Sequence, residues 1–373
     1  MPKFDVVVIG LGAIGSAALH HLARRGLSAV GLEQFSPGHD HGSSHGESRM
    51  IRLGYFEHPA YVPLLRRTYA LWRELETMSG QDLLRITGIV EIGRPDGALV
   101  SGTLAASRLH ALPHEVLSAA EAMRRFPAFH LPADVVGVYQ PDGGYLVPEL
   151  AIAAQIVLAQ LAGAEVRSGA TVQALVPQAD GVRVETGPAD FEARIAVVTA
   201  GPWVKRLLPG LPVRVTRQVM AWFRPNDRAL FAPERFPVFL LESRHGMHYG
   251  FPSHGGRDVK IAKHHHRDET VDPNKVDRSV SAIDEAEIRP LLAEHIPAAN
   301  GPLTAAKTCL YTVTPDRDFI IDRVPGAENI IVASPCSGHG FKFAPVIGEI
   351  LAELAIDGKT RHDISRFRLS RFG

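Results

Sequence analysis

The 373-residue sequence predicts an α/β fold, α+β overall, built from two interleaved domains. Three observations predict it. The chain opens as strand, glycine-rich turn, helix, strand and acid; two later stretches replace that alternation with short strand-like runs, turns and prolines; and the chain closes on strands followed by an amphipathic helix.

Phe4 to Ile9 reads FDVVVI, a nearly continuous apolar run expected of a strand buried on both faces. Gly10-Leu-Gly12-Ala-Ile-Gly15 follows, and Ser16 to Arg25 keeps helical spacing with Ile14, Ala18 and Leu22 on one side. Gly26 ends that helix, Ser28 to Leu32 resumes a strand, and Glu33 closes it 18 residues beyond Gly15. This is the opening of a Rossmann unit. Residues 83–144 and 216–316 are rich in strand-like runs such as Arg85 to Ile92. Between them Glu149 to Leu161 reads as a helix, and Ala170 to Ala200 as short strands punctuated by Gly181 and Gly187-Pro188. The apolar stretch Ala151 to Val166 is only sixteen residues long and holds Gln155, Gln160 and Glu165, so it is expected to be a core helix, not a membrane span. Phe319 to Ile321 and Asn329 to Ala333 read as strands. Phe341 to Asp357 is expected to be a helix, with Phe343, Val346, Ile347, Ile350, Leu351 and Leu354 on its apolar face. A nucleotide-binding domain thus comprises 1–82, 145–215 and 317–373, and a sheet-rich domain 83–144 and 216–316.

Forty basic residues balance forty acidic ones, which argues against nucleic acid, an anionic membrane or another polyanion as partner. With 45% hydrophobic and 21% charged residues, the composition excludes a disordered chain. Two cysteines, Cys309 and Cys336, are too few for a disulfide framework and leave one bridge possible but unforced. The chain enters its first strand directly after Met1-Pro2-Lys3, without a secretory pattern, so a cytoplasmic location is expected.

In Gly10-x-Gly12-x-x-Gly15 the first glycine permits a tight turn, the second lets backbone approach a pyrophosphate, and the third lets helix and strand pack closely. The helix amino terminus supplies free N–H groups and positive dipole, and Glu33 suits ribose hydroxyls. These features do not separate FAD from NAD. The polar stretch Gly42 to Arg52 can fold over a cofactor and donate from Ser, His and Arg. Ser337-Gly-His-Gly-Phe-Lys-Phe343 opens the last helix with a second glycine-rich turn, suited to another anionic group.

Taken in order, the glycine motif with Glu33, Ser43-Ser-His-Gly-Glu-Ser-Arg-Met-Ile-Arg52, Tyr249-Gly-Phe-Pro, Lys260 four residues before His264, Cys309-Leu-Tyr311 and Ser337 to Phe343 resemble the monomeric sarcosine oxidase and N-methyltryptophan oxidase family. The likeness covers essentially the whole chain. It implies FAD bound covalently, with the flavin 8-methyl carbon joined to the sulfur of Cys309. Cofactor contacts carried over are Gly10, Gly12, Ile14, Gly15, Glu33, Ser43, Ser44, His45, Ser48, Arg49, Val172, Gly201, Trp203, Cys309, Gly338, Gly340 and Lys342. Arg52 and Lys342 match a pair that holds the substrate carboxylate. Tyr249 and Tyr311 match aromatic residues beside the amine, and His264 a residue that orients it. Arg49 and His45 match residues near the flavin ring, and Lys260 the lysine beside its redox face. Two departures bear on the pocket: Cys336 stands where a glycine or an aromatic residue is expected, and Leu240 where methionine is.

The activity so implied is oxidation of a secondary amino acid, most simply sarcosine to glycine and formaldehyde, with dioxygen reduced to hydrogen peroxide. N-Methyltryptophan, L-proline, L-pipecolate or a glycated amino acid are alternatives, as are a flavin-carrying subunit of an electron-transfer complex and an NAD-dependent dehydrogenase. No side chain is an obvious strong base, so the protein is assigned positioning and electrostatics. The expected partners are a small secondary amino acid and dioxygen, without nucleic acid or membrane, and the chain is expected to be a monomer. The run His264-His265-His266-Arg267-Asp268-Glu269 is not expected to hold a metal, because adjacent strand residues face opposite ways. His265 and His266 are read as exposed, Cys336 as a small buried hydrophobe, and Trp203 as structural although the family places its turn beside the cofactor.

Overall fold

The computed structural model describes residues 3–187 and 189–373; Met1, Pro2 and Pro188, the last being half of the expected Gly187-Pro188 turn, lie outside the described residues. One eight-stranded sheet has the strand Lys3–Ile9 near its centre, paired in parallel with Ala29–Glu33 on one side and Phe191–Val198 on the other. Glu165–Ser168 extends it beyond Ala29–Glu33. Gly181–Glu185, Ala174–Gln178 and the pair Ala327–Ser334 and Ile320–Val324 complete the other side. The helices Ala13–Arg24, Pro148–Leu161 and Ala344–Asp357 pack on this sheet. Val6, Val8, Leu19, Leu22, Ile152, Ile347, Ile350 and Leu351 form their common core.

A second eight-stranded sheet runs in the order Leu303–Val313, Arg214–Phe223, Val259–Lys263, Gly246–Phe251, Val238–Ser243, Ile89–Gly93, Val136–Gln140 and Glu115–Ser118. Its two faces have separate uses because side chains alternate along a strand. Phe223, Ala221, Ile261, Val259, Phe239 and Leu241 face a core closed by Phe231, Phe236, Leu291 and Leu292. The register pairs Gln218 with Cys309, Thr216 with Tyr311, Trp222 and Phe251 with Lys260, and Leu240 with Tyr249. Cys309, Tyr311, Lys260 and Tyr249 therefore all project from the other face. A small sheet of Arg49–Ile51, Gly144–Leu146 and Leu84–Ile86 lies between the two large ones in sequence and carries Arg49.

Several expectations are corrected. The stretch Ala151 to Val166 is not one helix: it stops at Leu161, turns at left-handed Gly163 (φ 96°), and Glu165 begins a strand. Arg85 to Ile92 is two strands in different sheets, divided at left-handed Gly88. The sheet-rich segments also contain helices, Ala98–Leu109, Ala119–Arg125, Ala282–Ala286 and Arg289–His295, whose short apolar faces resemble strand runs. The last helix is preceded by a 3-10 turn over Phe341–Phe343 and becomes α-helical at Ala344, with Pro345 in its first turn. Among the described residues no helix is long and apolar enough to cross a membrane.

Candidate active site

Two adjoining cavities open between the sheets, sharing Ala13, Ile14, Ser43, Ser44 and Cys336 as a common wall. The first is lined by Gly10, Gly12, Glu33, Val172, Gly201 and Trp203. The second is lined by Arg49, Arg52, Glu57, Leu240, Tyr249, His264, Cys309, Tyr311, Gly338, His339, Gly340 and Lys342. Most of the expected site residues therefore meet in one continuous space. Gly15, His45, Ser48 and Lys260 stand behind its walls.

The first cavity is shaped as a dinucleotide cradle. A Cβ on Gly15 would lie 1.8 Å from the carbonyl oxygen of Gly10, so only glycine lets the helix approach the turn this closely. Glu33 is buried, and its carboxylate accepts N–H bonds from Leu11 (2.8 Å) and Phe35 (3.0 Å). Burial raises its pKa, but His39 and these two amides outweigh that and hold it below the usual range. Trp203 lines the cavity and also anchors to Asn274 Oδ1 at 2.8 Å, so it serves both as wall and as support. Next to the shared wall, His45 is buried with neither ring nitrogen hydrogen-bonded within the chain. Burial, with Arg49 and Lys260 nearby, keeps that ring neutral. A polar ring left without partners beside a long, glycine-lined cavity fits a flavin dinucleotide.

Cys309 is buried as a free thiol, with its sulfur 3.7 Å from a guanidinium nitrogen of Arg49. The same nitrogen donates to the carbonyl of Ser43 at 2.9 Å, which ties the Ser43 to Arg49 loop to the strand carrying Cys309. Lys260 is fully buried. Its ammonium donates to the carbonyls of Gly46 (2.6 Å) and Ser48 (2.8 Å), so it braces the loop from behind.

At the far end of the second cavity Arg52 is buried and donates to Glu91 (2.8 Å) and Glu57 (2.7 Å). Burial disfavours its charge, but the two carboxylates more than compensate and raise its pKa. Lys342 donates to the carbonyl of His339 (2.8 Å) and the hydroxyl of Tyr55 (3.3 Å). Burial, then Arg52, push its pKa down to about 7. Burial likewise pushes Glu91 up to about 7 despite Arg52. The opposite wall is aromatic: Tyr311 faces His264, with the hydroxyl 3.4 Å from Nδ1, and Tyr249 stands edge-on to the same ring. Burial holds His264 neutral. Gly338, left-handed at φ 86°, passes so close that a Cβ there would lie 2.5 Å from the Tyr311 ring.

Sequence reasoning missed Glu57 and Glu91, the partners of Arg52. An acid in the apolar run Ile89 to Ile92 was the available signal, since a buried carboxylate demands a partner. It also placed three residues wrongly. His266 is buried, not exposed, because it bonds Asp284 (3.0 Å), itself paired with Arg217 (2.7 Å). His265 is half-buried against the His264 ring, 4.2 Å between centroids. Cys336 is not a core filler: it lines both cavities, and burial pushes its thiol up to about 11, so the sulfur stays protonated.

Residues 5–354 match the family model described as FAD dependent oxidoreductase. The chain is 42% identical over 372 residues to monomeric sarcosine oxidase of Streptomyces avermitilis, covering 98% of this chain and 97% of that protein. It is 38% identical to N-methyl-L-tryptophan oxidase of Salmonella heidelberg, covering 99% of each. Among solved structures, NikD, an unusual amino acid oxidase essential for nikkomycin biosynthesis, superposes with a TM-score of 0.88 at 30% identity, covering 99% of this chain and 98% of that one. L-Proline dehydrogenase from P. horikoshii, at 22% identity and a TM-score of 0.86, shares the fold. With a dinucleotide cradle opening into a chamber lined by Arg52, Lys342 and an aromatic wall, and with likeness along nearly its full length, the chain belongs to the FAD-dependent oxidoreductases, in the group of monomeric sarcosine oxidase and N-methyl-L-tryptophan oxidase.

Proposed function

We propose that this protein oxidises a secondary amino acid, sarcosine being the simplest, with FAD attached through Cys309 and dioxygen as the final acceptor, acting as a monomer in the cytoplasm. The observation that carries the reading is the second cavity, where two cations and an aromatic wall share one chamber with a buried thiol, next to the dinucleotide cradle. Arg52 and Lys342 would take the carboxylate by charge-assisted hydrogen bonds. Tyr249 and Tyr311 would enclose the N-methyl group, and the neutral imidazole of His264 would accept a hydrogen bond from the amine N–H without adding a repelling charge. Glu91 is engaged by Arg52, Thr103 and Gln140, so its carboxylate is not free to act as a base at the amine. Bound there, FAD would supply the two-electron oxidation of the N-methyl carbon, with dioxygen as the final acceptor, reduced to hydrogen peroxide. The imine so formed on the substrate would hydrolyse to glycine and formaldehyde.

Peroxide and formaldehyde release from a panel of secondary amino acids tests this. Sarcosine or another N-methyl amino acid should give both products in equal amounts. Bleaching of the flavin without peroxide would make the chain a dehydrogenase, and no reaction with any secondary amino acid would overturn the proposal.

A further inference from the structure

The loop from His45 to Arg49 is gripped from two sides. Glu149, in the first turn of the helix Pro148–Leu161, accepts the backbone N–H groups of Gly46 (2.7 Å) and Glu47 (3.1 Å) on one carboxylate oxygen. Lys260, on the strand Val259–Lys263, donates to the carbonyl of Gly46 (2.6 Å) and to the carbonyl (2.8 Å) and hydroxyl (3.2 Å) of Ser48. The Gly46 carbonyl and the Glu47 N–H belong to the same peptide group. Its positive end therefore faces a carboxylate and its negative end an ammonium, so the peptide dipole is aligned between opposite charges. Gly46 (φ 102°) and Glu47 (φ 69°) are both left-handed, and a non-glycine residue holds that conformation only when its surroundings enforce it.

We propose that Glu149 is a positioning residue: across the Gly46–Glu47 peptide it holds the loop in register with Lys260 and sustains the ammonium form of that lysine. The inference rests on one reading of Lys260, which the family resemblance places beside the flavin's redox face: that its ammonium favours the anion formed as dioxygen is reduced there. The groups facing Lys260 are Arg49, Glu47 and His45 from the loop, Glu149 from the helix, Cys309 from the edge strand of the same sheet, and His254, with the rings of Phe251 and Trp222 at 4.7 and 5.5 Å. Burial, then Arg49, pull the lysine pKa well below its ordinary value, and Glu149 is the first of the groups that pull it back up. The loop in turn aims Arg49 at the sulfur of Cys309 and at Ser43, so its pose also sets the wall beside the thiol.

The sign follows from the geometry. A lysine ammonium is present below its pKa and lost above it, and removing a neighbouring negative charge lowers that pKa. Oxygen-dependent flavin reoxidation should then fail at a lower pH in a variant without the charge. Two variants separate charge from hydrogen bonding: Glu149→Gln keeps an oxygen for the two N–H groups, whereas Glu149→Leu keeps neither. Stopped-flow reoxidation of the reduced holoenzyme from pH 6 to 10 reads the charge. Amide hydrogen exchange of the peptide spanning His45 to Arg49, with and without flavin, reads the loop.

In Glu149→Gln the alkaline limb should move down by about one pH unit while loop protection stays near wild type. In Glu149→Leu the loop should also exchange about tenfold faster. An unmoved limb in the isosteric Gln variant, or unchanged exchange in the Leu variant, would overturn the proposal; the Gln variant keeps it testable should the Leu variant not fold. Lys260→Met is the separate control. If it reoxidises normally, the oxygen role of Lys260 and the charge half of the inference both fall, and exchange in Glu149→Leu decides the loop half.

Discussion

Replacing Lys342 by Met should weaken carboxylate binding in a way that depends on pH. The buried ammonium carries three protons and commits two of them, to the carbonyl of His339 and the hydroxyl of Tyr55, leaving one for a ligand. One hydrogen bond to a charged partner contributes about 1.5–3 kcal/mol, which is about ten- to a hundredfold in affinity. That contribution requires the charge, and burial with the nearby Arg52 places the lysine pKa at about 7. Roughly nine in ten molecules then carry the ammonium at pH 6 and roughly one in ten at pH 8. Wild-type affinity for a carboxylate should fall about five- to ninefold across that interval, while Lys342→Met should lack this dependence, so the two proteins converge as pH rises. Propionate, which has no amine of its own to titrate, is the suitable ligand, and its binding can be followed anaerobically by the flavin absorbance. Equal affinity at pH 6 would remove Lys342 from the carboxylate site. A large ratio that stays constant from pH 6 to 8 would keep it there but refute the lowered pKa.

Cys309→Ser should release all flavin into the supernatant on acid precipitation, whereas Cys336→Ser should leave the pellet yellow; flavin released from the wild type would refute the covalent link. Lys260→Met should slow reoxidation by dioxygen about a hundred- to a thousandfold, with a smaller effect on anaerobic reduction by substrate; equal losses in both steps would argue for a structural lysine. Asp284→Ala should destabilise the fold by about 3–5 kcal/mol in denaturant titration, because it strands a buried Arg217. The Asp284 carboxyl is held well below its usual range, against burial, by Arg217, Ser281 and His266, so its stabilising contribution is present above about pH 4 and lost as pH falls further.

The opening unit was legible because local rules suffice there: an apolar strand, a turn that tolerates no Cβ at Gly15, and an acid at the end of the next strand. The face presented by Cys309, Tyr311, Tyr249 and Lys260 was not, since alternation alone says that they share parity along their strands but not which side meets the dinucleotide sheet. That choice is made by pairing between strands far apart in sequence. Glu91 and Glu149 escaped for the same reason. Their partners lie 39 and 103 residues away, at Arg52 and Gly46, and no local pattern joins them. His266 looked exposed in a run of six polar residues, and only the approach of the segment holding Asp284 buries it.

The charges around Arg52 bear on how a buried guanidinium could take the carboxylate role proposed for it. Left unpaired it would be strongly destabilising, so the ligand-free chain must supply its own carboxylates. The two it supplies differ. The Glu91 side chain is fully buried and is held by Thr103 and Gln140 as well as by Arg52, each at 2.8 Å. Glu57 lies on the connection between Arg52 and the next helical turn, keeps 19% of its side chain exposed, and lines the cavity. An incoming carboxylate can therefore replace Glu57 but not Glu91. In the carboxylate role proposed for it, Arg52 would stay paired throughout the exchange, and the affinity would be the difference between two ion pairs plus the one hydrogen bond that Lys342 has left for the ligand.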